Sequence, residues 1–486
     1  MFNKKFNKKV APMRSGISKQ ELERYLSMWL MSEERKEMLR GELYYEGYHD
    51  ILNRERAVIG GSGTLEVVNN LPNHKIVDNQ YKMLVDKKIN YGLGKPLTIA
   101  TDNEKYATEL NKIFNRRMMK KIRSLGEDSV NHGIAWLHPY YNEFGDFCFK
   151  VFKGYEILPI WADEEHEYLR CAIRYFTVED PTPNSHNYVS RVEVYTPQGV
   201  ERYDCDKNGV LYADKLVPHY NYIKFDEQEM NWNRVPLIPF KYNDDEIPLI
   251  RDTKQLQDAI NLIMSNFINN MDEDPRNTLL ILKNYDGTNL ADFRANLKTY
   301  GIVKVHTVDG VQGGLDKLTV DVDAQNYQAV LMCLKRALID NGRGFDAKEE
   351  RMDGDPNEMN IQSMYTDIDL DINAMETEFQ VAFDDLLWFI NQHLMLTGVG
   401  NFEDEKAIIE FTRDIFINES QLIDNCVKSV GIISNETIVA HHPWVTDLNR
   451  ELGLIEKEKA EEQKEMEEAF KMQSQFEGGD DVNGGV

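Results

Sequence analysis

A run of about forty residues without glycine or proline is the feature that most constrains how this chain can fold. It lies between Pro356 and Gly398. Asp355, Pro356 and Glu358 suit the N-cap, the first helical position and the capping-box position of a helix that starts there. Forty helical residues would extend about 60 Å, far beyond the mean helix length. The sequence therefore predicts one long helix that organises the architecture.

Two further helices precede the long one and enclose a small mixed module. The apolar residues that define one face of the first are Leu256, Ile260, Ile263, Phe267 and Met271, and those expected to point inward in the second are Tyr327, Val330, Leu331, Leu334 and Leu338. The module is expected to hold two strands, a helix and a glycine turn, at 279–282, 302–305, 290–299 and 313–314. The order is helix, module, helix, glycine-containing loop and long helix, which predicts a protrusion on a helical stalk.

The rest of the chain divides into helical and β-type parts. Apolar residues at helical spacing predict three helices, over 19–41, about 73–91 and 103–126, the first capped by Ser18. From Gly133 to about Tyr242, aromatic and β-branched runs alternate with turn residues, which predicts an antiparallel sheet. The C-terminal part is expected to contain a strand at 407–411 and helices starting near Asn418, Ser434 and Thr446.

Composition narrows the class of protein. The chain has 486 residues, which at about 150 per domain predicts two to four domains. Its net charge of −26 argues against a general nucleic-acid binder, and no apolar run reaches the about 18 residues of a membrane span. The basic start lacks the apolar region of a secretory signal. Five scattered cysteines without a CxxC pair favour reduced thiols over disulfides or zinc.

The motifs that carry chemistry are sparse, and the sequence predicts no enzyme, no cofactor and no metal site. Asp204, Asp206, Asn208 and Gly209 match the start of an EF-hand loop, but Lys215 stands where the bidentate glutamate belongs, so a hairpin turn is the favoured interpretation. One enzyme alternative remains, a nuclease that binds magnesium through Asp367, Asp369 and Asp371. A spacing of two turns helical side chains apart by about 200°, so these three converge only if the segment is a strand.

The charge pattern is more informative than the motifs. From Met352 to Glu405 there are thirteen acids and no Lys or Arg, whereas Lys335–Arg351 holds five basic groups and four acids. One interpretation is a solvated acidic face beside a polar loop. The other is a conduit for a polyanion, in which an acidic wall repels phosphate while a few basic groups on a loop touch it weakly.

Short motifs in a fixed order give the chain a family resemblance. They are Tyr44-Tyr45-Glu46-Gly47, Asn69-Asn70, DKKINYGLGKP at 86–96, Gly133-Ile134-Ala135-Trp136, EILPIW at 156–161, Val194-Tyr195-Thr196, Val235-Pro236, Ile238-Pro239-Phe240, Ile433-Ser434-Asn435-Glu436-Thr437, Pro443-Trp444-Val445 and Asp447. In this order and spacing the chain resembles the portal proteins, or head-tail connectors, of tailed bacteriophages, of the type found in long-tailed phages of Gram-positive hosts. The resemblance covers about 30–470.

This resemblance implies a homo-oligomeric ring, usually of twelve subunits, at one vertex of the capsid. Double-stranded DNA enters and leaves through such a ring, the terminase and later the head-tail adaptor proteins dock on it, and it meets the major capsid and scaffolding proteins. The implied location is the virion, after assembly in the host cytoplasm, with no membrane partner. Another phage structural or scaffolding protein is the second alternative, although a β-rich middle of about 100 residues is unusual for a scaffold.

The resemblance also implies an α+β subunit with named parts. They are a basic arm (1–18), a wing (19–248), stem helices (249–273 and 323–341), a clip (274–322), a tunnel loop (342–356), a long wing helix with a returning strand (357–416), a helical crown (417–472) and a tail (473–486). The arm and the tail are expected to be disordered, and no role is assigned to them.

Candidate site residues follow from this assignment. The loop residues expected to meet DNA are Arg343, Lys348 and Arg351, with Gly342, Gly344 and Gly354 giving the loop mobility. Lys335 and Arg336 are expected on the channel side of the stem. The clip residues expected to contact terminase or adaptor are Arg276, Lys283, Arg294, Lys298 and Lys304.

Overall fold

The computed structural model is a mixed helix and sheet protein, as the sequence predicts. It describes residues 17–59, 63–69, 71–179, 188–206, 209–214, 217–225, 228–273, 279–283, 314–318, 324–345, 358–413, 419–445, 450–461 and 463–464. By packing, the chain divides into two compact units. One contains 1–347 and 366–413, and the other contains 348–365 and 414–486.

Ten helices are bounded within the described residues. They are α1 (Lys19–Met31), α2 (Glu33–Glu46), α3 (Gln80–Leu93), α4 (Glu104–Ile113), α5 (Arg116–His132), α6 (Ile250–Glu273), α7 (Ala324–Asn341), α8 (Glu358–Leu396), α9 (Glu419–Lys428) and α10 (Asn435–Ala440). Residues 450–461 are also helical. None of the helices in the described part is both long enough and apolar enough to cross a membrane.

The strands form antiparallel sheets. They are β1 (Ala57–Ile59), β2 (Leu65–Val67), β3 (Thr98–Ala100), β4 (Ile134–Tyr141), β5 (Phe147–Phe152), β6 (Ile157–Trp161), β7 (Leu169–Glu179), β8 (Tyr188–Thr196), β9 (Gly199–Cys205), β10 (Leu211–Ala213), β11 (His219–Tyr220), β12 (Ile223–Phe225), β13 (Gln228–Met230), β14 (Ile238–Lys241), β15 (Leu279–Lys283), β16 (Gly314–Leu318) and β17 (Ile408–Glu410). The larger sheet has the order β10-β9-β8-β7-β6 with β11 beside β9, and a second has the order β14-β4-β5. β12 and β13 pair separately, so the single sheet predicted over 133–242 is three sheets in the structure.

The main hydrophobic core lies between the N-terminal helices and these two sheets. Leu22, Leu26 and Trp29 recur on one face of α1 and are buried with Trp136 of β4 and Trp161 of β6, whose rings stack at 5.9 Å. Burial of side chains this large stabilises the fold by about 1.5–3 kcal/mol each. Ser18 caps α1 in a capping box, as the sequence predicts.

The long helix is present as predicted, and its apolar side chains form a second core. α8 has 39 residues. Phe379 and Phe383 are buried on it and make edge-to-face contacts with Phe240 of β14, at 4.9 and 5.5 Å between ring centroids. The returning strand, β17, pairs with β3, so the segment after the helix is fixed to the N-terminal part of the chain.

Three predicted helices have different bounds in the structure. The helix predicted over 19–41 is broken at Ser32, whose extended backbone ends α1 and whose hydroxyl caps α2. The helix predicted over 103–126 is broken at Asn115, which caps α5. The helix predicted from about 73 begins only at Gln80, because the residues before it are extended and bonded to α6.

The module between α6 and α7 is described in part. Its first predicted strand is β15, which pairs with β16, so Gly314 begins a strand where a turn was predicted. The strand expected at 302–305 and the helix expected at 290–299 lie outside the described residues. At the EF-hand-like motif, β9 and β10 pair as a hairpin, and Gly209 has a φ of 79°, which fits the predicted turn.

Candidate functional site

The most buried face of α6 carries polar side chains at every fourth residue. They are Thr253, Gln257, Asn261, Ser265 and Asn269, which we call the polar ladder, and each is at most 1% exposed. Residues four apart are neighbours on a helix, and each step of four turns about 40° around the axis, so the ladder follows a row inclined to the axis of α6. The apolar face predicted for this helix is buried only in part, since Ile260 is buried but Met271 is 54% exposed, and Val330, predicted to point inward on the second helix, is exposed.

The polar ladder binds the main chain of an extended segment, residues 74–78, and the start of α3. The N–H groups of His74, Ile76 and Asp78 donate to the side chains of Asn269 (2.7 Å), Ser265 (3.0 Å) and Asn261 (3.0 Å) respectively. Gln257 accepts from the N–H of Tyr81 at 2.9 Å, a donor that a helix start leaves without an intrahelical partner.

The spacing explains why these two elements match. Four helical residues rise about 6.0 Å and two extended residues about 6.6 Å, so each step along α6 meets every second N–H of the segment. The ladder therefore fixes α6 against residues 74–78 as a neighbouring strand would. Within this arrangement His49, buried and stacked on Tyr44, accepts at Nδ1 from the amide of Asn261 at 2.7 Å.

α7 packs beside α6 and ends at the residues predicted to begin the DNA loop. Asn270 donates to the hydroxyl of Tyr327 at 2.7 Å, and the rings of Phe267 and Tyr327 lie 5.0 Å apart. Residues 342–345, which we call the loop base, follow the last turn of α7.

Glycine is required in the loop base by close packing. A Cβ at Gly342 or at Gly344 would overlap the side chain of Leu84 on α3. Both glycines are packed against α3 in the structure, and the mobility expected of them stays a prediction. Between them, Arg343 has a φ of 49°, a conformation that non-glycine residues adopt rarely.

Arg343 belongs to a buried cluster centred on Asp371 of α8. The Oδ2 atom of Asp371 accepts from Lys88 Nζ at 2.5 Å and from the Tyr242 hydroxyl at 2.6 Å, and its Oδ1 atom accepts from the Arg343 guanidinium at 3.2 Å. We call these four residues the Asp371 cluster. The side chains of Lys88 and Asp371 are 0% and 4% exposed, whereas that of Arg343 is 66% exposed.

Two lysines of α3 also bind the loop base through its carbonyl groups. Lys88 donates to the carbonyl of Arg343 at 3.1 Å and Lys87 to that of Phe345 at 2.9 Å. The backbone of the loop base is thus held by hydrogen bonds on both sides of Gly344.

Burial sets the protonation of the cluster's inner groups. Burial lowers the pKa of Lys88, while Asp371 opposes that change by favouring the ammonium form. Burial, and then the Asp371 carboxylate, raise the pKa of Tyr242 well above its usual value, so its hydroxyl is a neutral donor. The short Lys88–Asp371 contact indicates an ion pair inside the protein.

Several acids of α8 pair with cations of the same subunit, and the acidic wall stays a prediction. Arg413 contacts Asp369 at 2.5 Å and also pairs with Glu376, while Arg234 contacts Asp385 at 3.2 Å. The geometry does not support the nuclease alternative, because the segment is helical and Asp369 and Asp371 point to different partners.

The other predicted site residues are placed as follows. Lys335 contacts Asp78 at 2.7 Å, which links α7 to the extended segment, and Arg336 is exposed. Lys283 is the last residue of β15. The remaining loop and clip residues lie outside the described residues, and they are Lys348, Arg351, Gly354, Arg276, Arg294, Lys298 and Lys304.

One group of metal-type ligands is present among the described residues, and a protein cation already sits in it. Glu42, Asp128 and His132 lie close together. Lys153 Nζ is 2.9 Å from Glu42 and 2.6 Å from Asp128. Burial would raise the pKa of Glu42, but His132 and Lys153 outweigh it and lower the pKa to about 2. The ammonium of Lys153 supplies the charge that a metal would bring.

Sequence reasoning identified Arg343 but missed the residues that hold it. Lys88, Tyr242 and Asp371 lie 129 to 283 positions apart in pairs along the chain, so no local pattern joins them. The polar ladder did have a sequence signal, a polar residue at every fourth position from 253 to 269.

Comparisons with known proteins match a range of the chain that includes both the polar ladder and the Asp371 cluster. A family model described as phage portal protein, SPP1 Gp6-like, matches residues 31–465. The portal protein of Bacillus phage SPP1 is 28% identical over 453 residues, which are 91% of this chain and 87% of that protein. The portal protein of Clostridium phage phiCD119 is 28% identical over 437 residues, which are 87% of this chain and 93% of that protein.

Proposed function

Because the chain belongs to the phage portal protein family of the SPP1 Gp6-like type, we propose that it forms a ring through which double-stranded DNA passes. The ring has twelve subunits, stands at one vertex of the capsid in the virion and is assembled in the host cytoplasm. It serves as the docking site for terminase during packaging and for head-tail adaptor proteins afterwards, and it contacts the major capsid and scaffolding proteins.

The helix pair α6 and α7 forms the stem of this ring, and the module between them forms the clip. Exposed apolar side chains on both helices support this assignment, since single-chain packing leaves them open to a neighbouring subunit. They are Leu262, Met271, Val330 and Met332. Burial of such groups is the usual driving force of subunit association. Residues 19–248 and 357–416 form the wing, and 417–472 form the crown.

The observation that carries the DNA contact is the placement of Arg343. It stands in the loop base at the end of a stem helix, its backbone is fixed, and its guanidinium is mostly exposed. With Lys348 and Arg351 it gives each subunit three basic groups in the tunnel loop. Exposed ionic contacts are worth about 0–1 kcal/mol each, so a ring of them holds DNA without stalling it.

Two experiments test this function. Negative-stain imaging of the purified chain should show rings with a central hole, whereas compact single particles would exclude the ring. In infected cells, replacing Arg343, Lys348 and Arg351 with Ala should leave rings intact and reduce the fraction of DNA-filled capsids.

A matched control uses three basic residues outside the stem and the loop. They are Lys36, Arg40 and Lys112, which lie in exposed ion pairs. Their replacement by Ala should leave packaging at the wild-type level. If the loop variant packages as well as this control, the tunnel-loop assignment is wrong.

A further inference from the structure

We propose that Lys88 is a positioning residue, which neutralises Asp371 so that the charge of Arg343 remains available to DNA phosphates. The inference rests on the proposed function, since it assigns a supporting role at the same site. It names a buried residue outside the loop as a determinant of how strongly the loop base attracts the DNA backbone.

The charges in the Asp371 cluster do not cancel. Lys88 and Arg343 each bring one positive charge, Asp371 brings one negative charge and Tyr242 is neutral. The cluster therefore has a surplus of one positive charge. Because Lys88 and Asp371 are both buried while the Arg343 side chain is 66% exposed, that surplus faces solvent on Arg343.

The hydrogen bonds of Asp371 are divided between its two carboxylate oxygens. Lys88 and Tyr242 both donate to Oδ2 of Asp371, which leaves Oδ1 to the guanidinium of Arg343. A guanidinium has five N–H donors, so one bond to Oδ1 orients it and leaves the others free to meet a phosphate. Lys88 also fixes the Arg343 carbonyl, and thus the backbone from which the side chain extends.

Loss of Lys88 should change the charge of the site. Without its ammonium, the Asp371 carboxylate is balanced by Arg343 alone, and the cluster becomes neutral. The attraction between the loop base and a phosphate should then fall to about that of a chain without Arg343. The salt dependence of DNA binding should fall as well, by about 0.9 in logarithmic slope for each phosphate that is no longer neutralised.

Binding of a fluorescein-labelled 30-base-pair duplex to purified rings, followed by anisotropy across a series of NaCl concentrations from about 20 mM, tests this. R343A should weaken binding by about tenfold and reduce the salt slope. K88M should do the same. The double variant K88M/D371N restores a net charge of one on Arg343 and should bind as the wild type does. R234A removes another exposed arginine that pairs with an acid of α8, and it should bind normally.

The double variant separates a charge effect from a structural one. If Lys88 only supports the fold, removal of Asp371 as well should leave binding as weak as in K88M or weaker. That result, or wild-type binding by K88M, would overturn the role of Lys88. No binding by wild-type rings at about 20 mM NaCl, or no effect of R343A, would instead reject the proposed DNA contact at the loop base.

Thermal unfolding and electron microscopy of each variant show whether rings assemble. K88M/D371N removes both buried charges, so it should assemble even if K88M does not, and its DNA binding then tests the inference. Wild-type binding by this double variant then supports the inference, and binding at the R343A level overturns it.

Discussion

The polar ladder and the Asp371 cluster are two buried polar regions that hold a main chain in different ways. The ladder uses neutral side chains of one helix to bind the backbone of residues 74–78. The cluster uses charged side chains from distant segments, and its Lys88, together with the neighbouring Lys87, binds the backbone of the loop base. Neutral groups fix a backbone without adding charge, whereas the charged cluster also leaves a positive charge at the surface. Under the proposed function, the neutral ladder joins the stem to residues 74–78, and the charged cluster is the part that contacts DNA.

The largest effect is expected when the carboxylate of the Asp371 cluster is removed. D371N leaves the Lys88 ammonium buried without its counter-ion, which should cost about 3–5 kcal/mol of unfolding free energy. D385N removes a half-buried carboxylate from the same helix, whose partner Arg234 is exposed, and should cost about 0–1 kcal/mol. Urea unfolding followed by circular dichroism measures both. Equal midpoints would show that the Lys88–Asp371 pair is not a buried ion pair.

A smaller effect is expected from the ladder. N261A deletes the acceptor of the Asp78 N–H and of the Gln257 amide, which leaves buried donors without a partner. The expected cost is about 1–3 kcal/mol, below that of D371N because no charge is stranded. Q255A, at an exposed position of α6, is the control and should leave the urea midpoint unchanged. If N261A behaved as Q255A does, the ladder would not fix α6.

The smallest effect is a pH dependence that arises at His49, which bonds to Asn261 of the ladder. Burial lowers the pKa of His49, although its contact with the Tyr44 carbonyl opposes this. The unfolded chain, with a pKa of about 6.5, therefore takes up the proton first, so the free energy of unfolding should fall as the pH drops below about 6.5. Above that pH the contribution is complete. H49Q should lose stability less steeply between pH 7.5 and pH 5. Parallel pH profiles would contradict the assignment.

Much of the fold follows from local sequence, and the misses have local physical reasons. The length of α8 follows from the absence of glycine and proline, and the β9–β10 hairpin follows from its turn residues. The breaks at Ser32 and Asn115 were missed because apolar periodicity continues across them, although both residues are strong helix caps. The late start of α3 depends on partners on α6, about 180 positions away.

The candidate site was predictable only in part. Arg343 was identified because it is a basic residue in a glycine-containing loop. Its fixed position was not predictable, because Lys88, Tyr242 and Asp371 meet only after α3, β14 and α8 have packed together. Glycine at 342 suggested mobility, yet the structure explains it by the approach of Leu84. A glycine in a sequence does not by itself show whether it is there to permit motion or to permit close packing.

The ladder holds the segment at 74–78 through its peptide groups, and this has a consequence for how the chain can vary. Exchanges of one amino acid for another at 74–77 should leave these hydrogen bonds in place, proline excepted at His74 and Ile76, because all other residue types carry the donated N–H. Asp78 is more constrained, since its carboxylate also pairs with Lys335. Insertion or deletion of a single residue would put all later donors out of step with α6. Apart from Asp78, the number of residues in this stretch is therefore more constrained than their identity.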